Sequence, residues 1–186
     1  DKLKPKAIIP VDLFGLPARY RIINEIAEKY KLKVIEDAAQ SFGGSIRDVK
    51  VGVFGDVAAT SFYPAKPLGC YGDGGAIFTN SDELAEKCKA IRIHGTKLDK
   101  YNSELIGLNG RLDSIQAAVL LEKLEIFQEE LEMRNKVNSY YRESLNNAQY
   151  HPKDYKSAHA LFSITLGSNE KRNNLINKLS SKNIPT

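Results

Sequence analysis

The 186-residue chain has no tryptophan, one methionine and two cysteines. Cys70 and Cys88 follow no metal-ligand spacing and are too few for a disulfide scaffold, which suits a reducing compartment. No apolar run approaches the roughly 18 residues that a spanning helix needs. No segment has the basic, apolar and small-residue succession of a secretory leader, so a cytoplasmic location is expected. Charge of one sign is not in excess: 27 Lys and Arg face 23 Asp and Glu, for a net +4. The two signs are interspersed, as on a solvated mixed surface and unlike a nucleic-acid track. No Gly-x-Ser-x-Gly elbow occurs, and His94 has no second ligand at helical or hairpin spacing, so no metal is expected. The chain starts with Asp1 in place of Met, and a natural start upstream of it is expected.

What is present is an ordinary hydrophobic fraction, 42%, enough for one core. Ala7–Val11 is a short apolar run that predicts a buried strand. Pro17 opens a helical pattern through Ile22, Ile23, Ile26 and Tyr30, and Lys33–Asp37 is the next strand. Strand, helix, strand at this spacing implies parallel strands. Gly43, Gly44, Gly52 and Gly55 punctuate a loop-rich stretch with short strands. Val57–Phe62 and Ala76–Thr79 are further strands, separated by the Gly72-Asp73-Gly74-Gly75 turn. Ser81 or Asp82 caps a helix. After a charge-rich segment, Thr96 to Glu104, a long helix is expected from about Leu112 to about Leu145. Its buried stripe would include Ile115, Val119, Leu121, Leu124, Phe127 and Leu131. A strand over 160–166 and a helix over 173–181 close an α/β pattern.

Lys66 follows an apolar strand in Ser61-Phe62-Tyr63-Pro64-Ala65-Lys66-Pro67-Leu68-Gly69, and two prolines stiffen its loop. A lysine amine forms Schiff bases when burial or nearby cations favour its neutral form; a solvated loop lysine is the ordinary alternative. Asp37 ends a strand of a parallel sheet, where ligands bind. A carboxylate there can hold a protonated ring nitrogen, or simply cap a turn. Gln40 could touch the same ring, and the hydroxyl of Ser61 could bind a phosphate; both could equally be polar loop and strand-end residues. The Gly72–Gly75 turn precedes a strand, not a helix, which weakens a dinucleotide reading. Asn109-Gly110-Arg111 opens the long helix and suits an anion, or serves as a cap with a surface arginine. Each feature is weak alone, but their order along the chain is not.

The segments Glu36-Asp37-Ala38-Ala39-Gln40-Ser41-Phe42-Gly43, Ser61 to Gly75, His94-Gly95 and Gly107 to Ala118 resemble the DegT/StrS family of nucleotide-sugar aminotransferases. The resemblance implies the type I fold of the PLP-dependent transferases, a mixed, mostly parallel sheet flanked by helices. It implies residues 1–125 as the pyridoxal 5'-phosphate domain, its N-terminal part missing. Residues 126–186 would be a connecting helix and a partial C-terminal small domain. By the same resemblance Lys66 is the Schiff-base lysine and proton shuttle, and Asp37 pairs with the pyridine nitrogen. Gln40 contacts the ring near its phenolic oxygen and Ser61 the phosphate. Asn109 reaches the phosphate of the neighbouring subunit in a homodimer with shared active sites, and Arg111 lies near the substrate.

The implied reaction moves an amino group, with glutamate the expected donor, to a keto group of a nucleotide-linked sugar. The wording of Lys66 to Asn80 and of Lys123 to Phe127 favours UDP-2-acetamido-2-deoxy-3-oxo-glucuronate and bacterial O-antigen synthesis, with Arg111 facing the sugar carboxylate. A PLP-dependent sugar dehydratase on the same fold would carry histidine in place of Lys66. A cofactor-binding or regulatory protein without turnover, and an inert fragment, are the rivals from other classes. Two departures stand out: Gly110 replaces a common serine, and the chain is about half the expected length.

Overall fold

The computed structural model describes residues 3–96 and 102–186, so part of the charge-rich segment, 97–101, lies outside the described residues. The expected opening unit is formed by β1 (Ala7–Ile8), α1 (Tyr20–Tyr30) and β2 (Lys33–Asp37), with the two strands parallel and Ala7 opposite Lys33. β1 is shorter than the apolar run suggests, and Ile9 beyond it is 62% exposed. α1 begins at Tyr20 and not at Pro17. The carboxylate of Asp12 takes the Ala18 N–H at 2.8 Å and holds the intervening chain as a turn.

The glycine-punctuated stretch folds as a hairpin of β3 (Ser45–Ile46) and β4 (Val49–Lys50). β5 (Val57–Ser61) then runs parallel to β2, and β6 (Gly75–Phe78) lies antiparallel on its other side. The main sheet has the order β1-β2-β5-β6, mostly parallel with one antiparallel edge. Gly75 is required where it stands, because a Cβ there would lie 2.7 Å from the Thr60 carbonyl oxygen.

α2 (Asp82–Ile91) is capped by Ser81, whose Oγ accepts the Leu84 N–H at 3.3 Å. α3 (Ser114–Ser144) is capped by Asp113, whose Oδ1 accepts the Ile115 N–H at 2.8 Å. Only part of its expected stripe is buried. Phe127 joins Phe62, Leu68 and Cys70 in one core cluster, with Leu131 packed against it and Leu120, which the expected stripe did not include, completing it, whereas Ile115 and Leu121 are 72% and 65% exposed. Apolar residues run around this helix, so one packing partner covers only one side. A second cluster holds α1 on β2 through Tyr20, Ala27 and Val34, with the Tyr20 and Phe54 rings stacked at 4.9 Å.

β7 (Tyr155–Lys156) returns from α3 to pair with β3, giving a small sheet β4-β3-β7. The strand expected over 160–166 does not form. Leu161 gives its N–H to Phe14 and Thr165 to Asn147, while Ser163 accepts from Gln149. The bonds to Asn147 and from Gln149 make the single bridge Ala148–Ile164, and at Leu161 the chain has already turned to Phe14, so no ladder grows beyond that bridge. α4 (Asn169–Ser180) starts ahead of the expected position because Ser168 caps it, and it has no buried residue.

Candidate active site

Asp37 and Ser61 are the last residues of β2 and β5. The register places Asp37 beside Ala59, two residues before Ser61, so both lie at the carboxyl end of neighbouring parallel strands. That end of an α/β sheet is where ligands bind. Asp37 is held by its backbone, which donates to Pro10 at 2.9 Å and accepts from Asp12 at 3.0 Å. Its Oδ1 accepts the Ala39 N–H at 3.1 Å.

Gln40 is oriented by its own carbonyl. Oε1 accepts the Phe14 N–H at 2.7 Å, which leaves the NH2 as the free end of the side chain. Ser61 Oγ accepts the Tyr63 N–H at 3.2 Å, so its hydroxyl hydrogen remains available to a ligand. Lys66 lies in the loop that follows. Cys70 closes this loop by donating its N–H to the Phe62 carbonyl at 2.8 Å. Lys123 Nζ clamps it again at the Gly69 carbonyl, 2.6 Å away. Lys66 is half-buried, and its ammonium has no hydrogen-bond or ion-pair partner among the described residues.

Two buried carboxylates beneath this edge escaped the sequence reading. Asp12, fully buried, accepts from Tyr20 Oη at 2.8 Å, the Ala18 N–H at 2.8 Å and Ser41 Oγ at 2.6 Å. Burial pushes its pKa above the ordinary carboxylate value and outweighs the hydrogen bonds, which lower it; the charge of Asp37 adds to the rise. Glu36, also fully buried, accepts the N–H groups of Gly52 at 2.6 Å and Phe54 at 3.0 Å, and burial again raises its pKa. These carboxylates tie the loops around the site to the strand ends. An acidic residue inside an otherwise apolar strand was the available signal for Glu36; Asp12 had none of comparable strength.

Asn109 and Arg111 are placed apart from this group. Both are exposed and precede α3, whose N-terminus is already capped by Asp113, so they are not its anion-binding end. Asn109 Oδ1 accepts from Arg111 Nε at 3.1 Å, and Asn109 bridges to Ile93. A cleft of about 900 Å³ lies between β5, β6 and α2; it includes Gly110 but none of the six candidate residues. Its walls are largely apolar, with Asn80, Lys89 and Arg92 among the polar residues that line it.

A carboxylate, an amide NH2, a hydroxyl and an unpaired amine follow one another around the strand-end edge. This donor set fits a group carrying a basic ring nitrogen, a phenolic oxygen, a phosphate and an aldehyde. It needs no reactive side chain other than the amine to anchor such a group.

A family model described as the DegT/DnrJ/EryC1/StrS aminotransferase family matches residues 2–186. The chain is 55% identical over 142 residues to a Pseudomonas aeruginosa UDP-2-acetamido-2-deoxy-3-oxo-D-glucuronate aminotransferase, a match covering 76% of this chain and 39% of the relative. A crystal structure of a DegT DnrJ EryC1 StrS aminotransferase from Brucella abortus superposes with a TM-score of 0.93 at 51% identity, covering 99% of this chain and 49% of that one. DesV of S. venezuelae, solved in complex with a ketimine intermediate, superposes with a TM-score of 0.89 at 36% identity, covering 97% of this chain and 49% of that one. The chain thus spans about half, or less, of the length of the relatives it matches.

Proposed function

Because the chain belongs to the DegT/DnrJ/EryC1/StrS aminotransferase family, we propose that it is the cofactor-holding part of a pyridoxal-phosphate aminotransferase acting on a nucleotide-linked keto sugar. The observation that carries this reading is the unpaired, half-buried Lys66 amine in the loop that follows the Asp37 and Ser61 strand ends. When bound, pyridoxal phosphate supplies a carbonyl carbon that carries nitrogen and a ring that stores the electron pair released by proton loss.

The residues divide the remaining work. Lys66 Nζ anchors the group and, once released, takes a proton from one carbon and returns it to another. Asp37 keeps the ring nitrogen protonated through an ion pair; its strand-end backbone bonds hold the carboxylate in place. Gln40 donates its free NH2 toward the phenolic oxygen while Phe14 fixes the other end of the amide. Ser61 donates its hydroxyl to the phosphate. Arg111, with Nε occupied by Asn109, keeps its terminal nitrogens for a substrate carboxylate. Such a carboxylate belongs to the glucuronate acted on by the Pseudomonas relative, and we propose that UDP-sugar as substrate, glutamate as donor and surface-polysaccharide synthesis as the setting. Asn109 would serve the phosphate of a partner subunit in a homodimer. Residues 1–125 and 126–186 would divide into the cofactor domain and the connecting and small-domain part. A cytoplasmic location agrees with this role; among the described residues no helix is long and apolar enough to cross a membrane.

The test is an absorbance titration with pyridoxal phosphate, followed by glutamate. It is run on this chain and on the chain extended to its relatives' length. A new band that is absent in Lys66→Ala and bleaches with glutamate is expected. No band in either form sinks the Lys66 assignment. A band that no amino acid bleaches favours binding without turnover.

A further inference from the structure

A separate pocket of about 270 Å³ lies between α3, the β3–β4 hairpin and the segment leading to β7 and beyond, with Gly43 in its wall. None of the six residues assigned to amino transfer lines it. Two of the chain's three histidines do, and they stack: the His151 and His159 ring centroids are 5.6 Å apart with 26° between planes. His159 Nε2 lies 2.9 Å from Asn135 Oδ1, so the neutral ring keeps Nδ1 as an acceptor.

The side chain of Asn138 also lines this pocket. The residue is only 9% exposed, yet its amide makes no side-chain hydrogen bond among the described residues. Every fully buried side-chain nitrogen or oxygen among the described residues is hydrogen-bonded, so this unpartnered amide is one that reaches the open space of the pocket. Ser157 Oγ accepts the His159 N–H at 3.0 Å and keeps a hydrogen to donate.

The surrounding charge is predominantly positive. Lys50 from β4 and Lys156 from β7 stand at the wall, with Tyr155 beside them. On α3, Arg134 reaches the His159 carbonyl at 3.4 Å, and Arg142 reaches that of Gln149. Facing these are Glu132 in the wall and Asp48, which sits 3.7 Å from Lys156. Burial, and then the charge of Arg142, pushes His151 below its ordinary pKa. His159 is pushed down to about 4 by burial, His151, Arg142 and Arg134. Among the described residues no three His, Cys, Asp or Glu side chains gather for a metal. The volume is below that of most drug-sized ligand sites, roughly 300–1,000 Å³, so a nucleotide sugar is too large.

We propose that this pocket binds a small phosphate-type oxyanion, with Asn138 and Ser157 as donors, Lys50 and Lys156 supplying the charge, and His151 and His159 taking up protons together with the anion. The bound anion favours the protonated imidazoles, so affinity rises as pH falls and both histidine titrations move upward.

The experiment is an NMR titration of the histidine ring resonances with inorganic phosphate, at several pH values. Saturable shifts of His151 and His159, a rise of the His159 midpoint by about one unit, and an unmoved His94 are expected. Asn138→Ala should abolish the shifts. Lys50→Gln, an exposed change that leaves the fold intact, should weaken binding several-fold. Displacement of phosphate by glycerol phosphate would make a phosphomonoester the ligand class; failure to displace it would make the free ion the ligand. Shifts that do not saturate, that His94 shares, or that survive in Lys50→Gln at full affinity overturn the proposal.

Discussion

The carboxyl end of the main sheet and the segment beyond α3 hold themselves in place by different means. At the sheet end, Asp12 gathers three donors from α1, its preceding turn and Ser41, while Glu36 gathers the loop before β5. Both carboxylates are fully buried, and no buried side-chain nitrogen or oxygen among the described residues lacks a partner. Residues 145–186 carry one two-residue strand and a helix with no buried residue. A polar network inside a dry site tolerates little rearrangement, because any lost partner leaves a desolvated group behind. A segment held by scattered backbone bonds can shift at small cost. The difference teaches where this fold demands rigidity, which is at the strand ends that present Asp37, Gln40 and Ser61.

The sharpest way to break the contrast is Asp12→Ala. It strands the Tyr20 and Ser41 hydroxyls and the Ala18 N–H, and should cost about 3 kcal/mol. Urea denaturation would show it, and an unchanged midpoint would mean that the network is not a fastening. Gly43→Ala comes next. Gly43 has φ +94 and its Cβ would stand 2.7 Å from Leu131 Cδ1, so a loss of about 2 kcal/mol is expected from backbone strain and the displaced side chain. Thermal unfolding tests this.

A smaller effect comes from pH. Asp12 holds its proton to higher pH when folded, so its contribution to stability is full at low pH and is lost as pH rises through the raised value. Relative to Asp12→Asn, the native chain should therefore lose stability as pH climbs above about 4. A difference in urea midpoints that does not vary with pH would contradict the raised pKa. The smallest change is expected in the other region: Ile176→Ser on α4, at a position 42% exposed, should stay within about 0.5 kcal/mol. A larger loss would show that α4 is packed more firmly than its exposure indicates.

Much of the fold could be read before any coordinates. Apolar runs separated by glycine and proline mark β2, β5 and β6, and Ser81 marks the start of α2, because these signals are local. The 160–166 strand was misread because apolar residues there satisfy short contacts with several segments, a choice that periodicity does not record. The α3 stripe was overestimated for a related reason: Ile115 and Leu121 are apolar, but nothing in the sequence states which side of a helix finds a partner.

For the site, the residue types and their order were determined by sequence alone: Asp37 at a strand end, then Ser61, then Lys66 between prolines. Only the tertiary structure decided which atoms remain free. It committed Gln40 Oε1 to Phe14 and Arg111 Nε to Asn109, left the Lys66 amine unpaired, and set Asp12 beneath Ser41. Hydrogen-bond partners distant in the chain meet through packing, and that distance is what a linear pattern cannot encode.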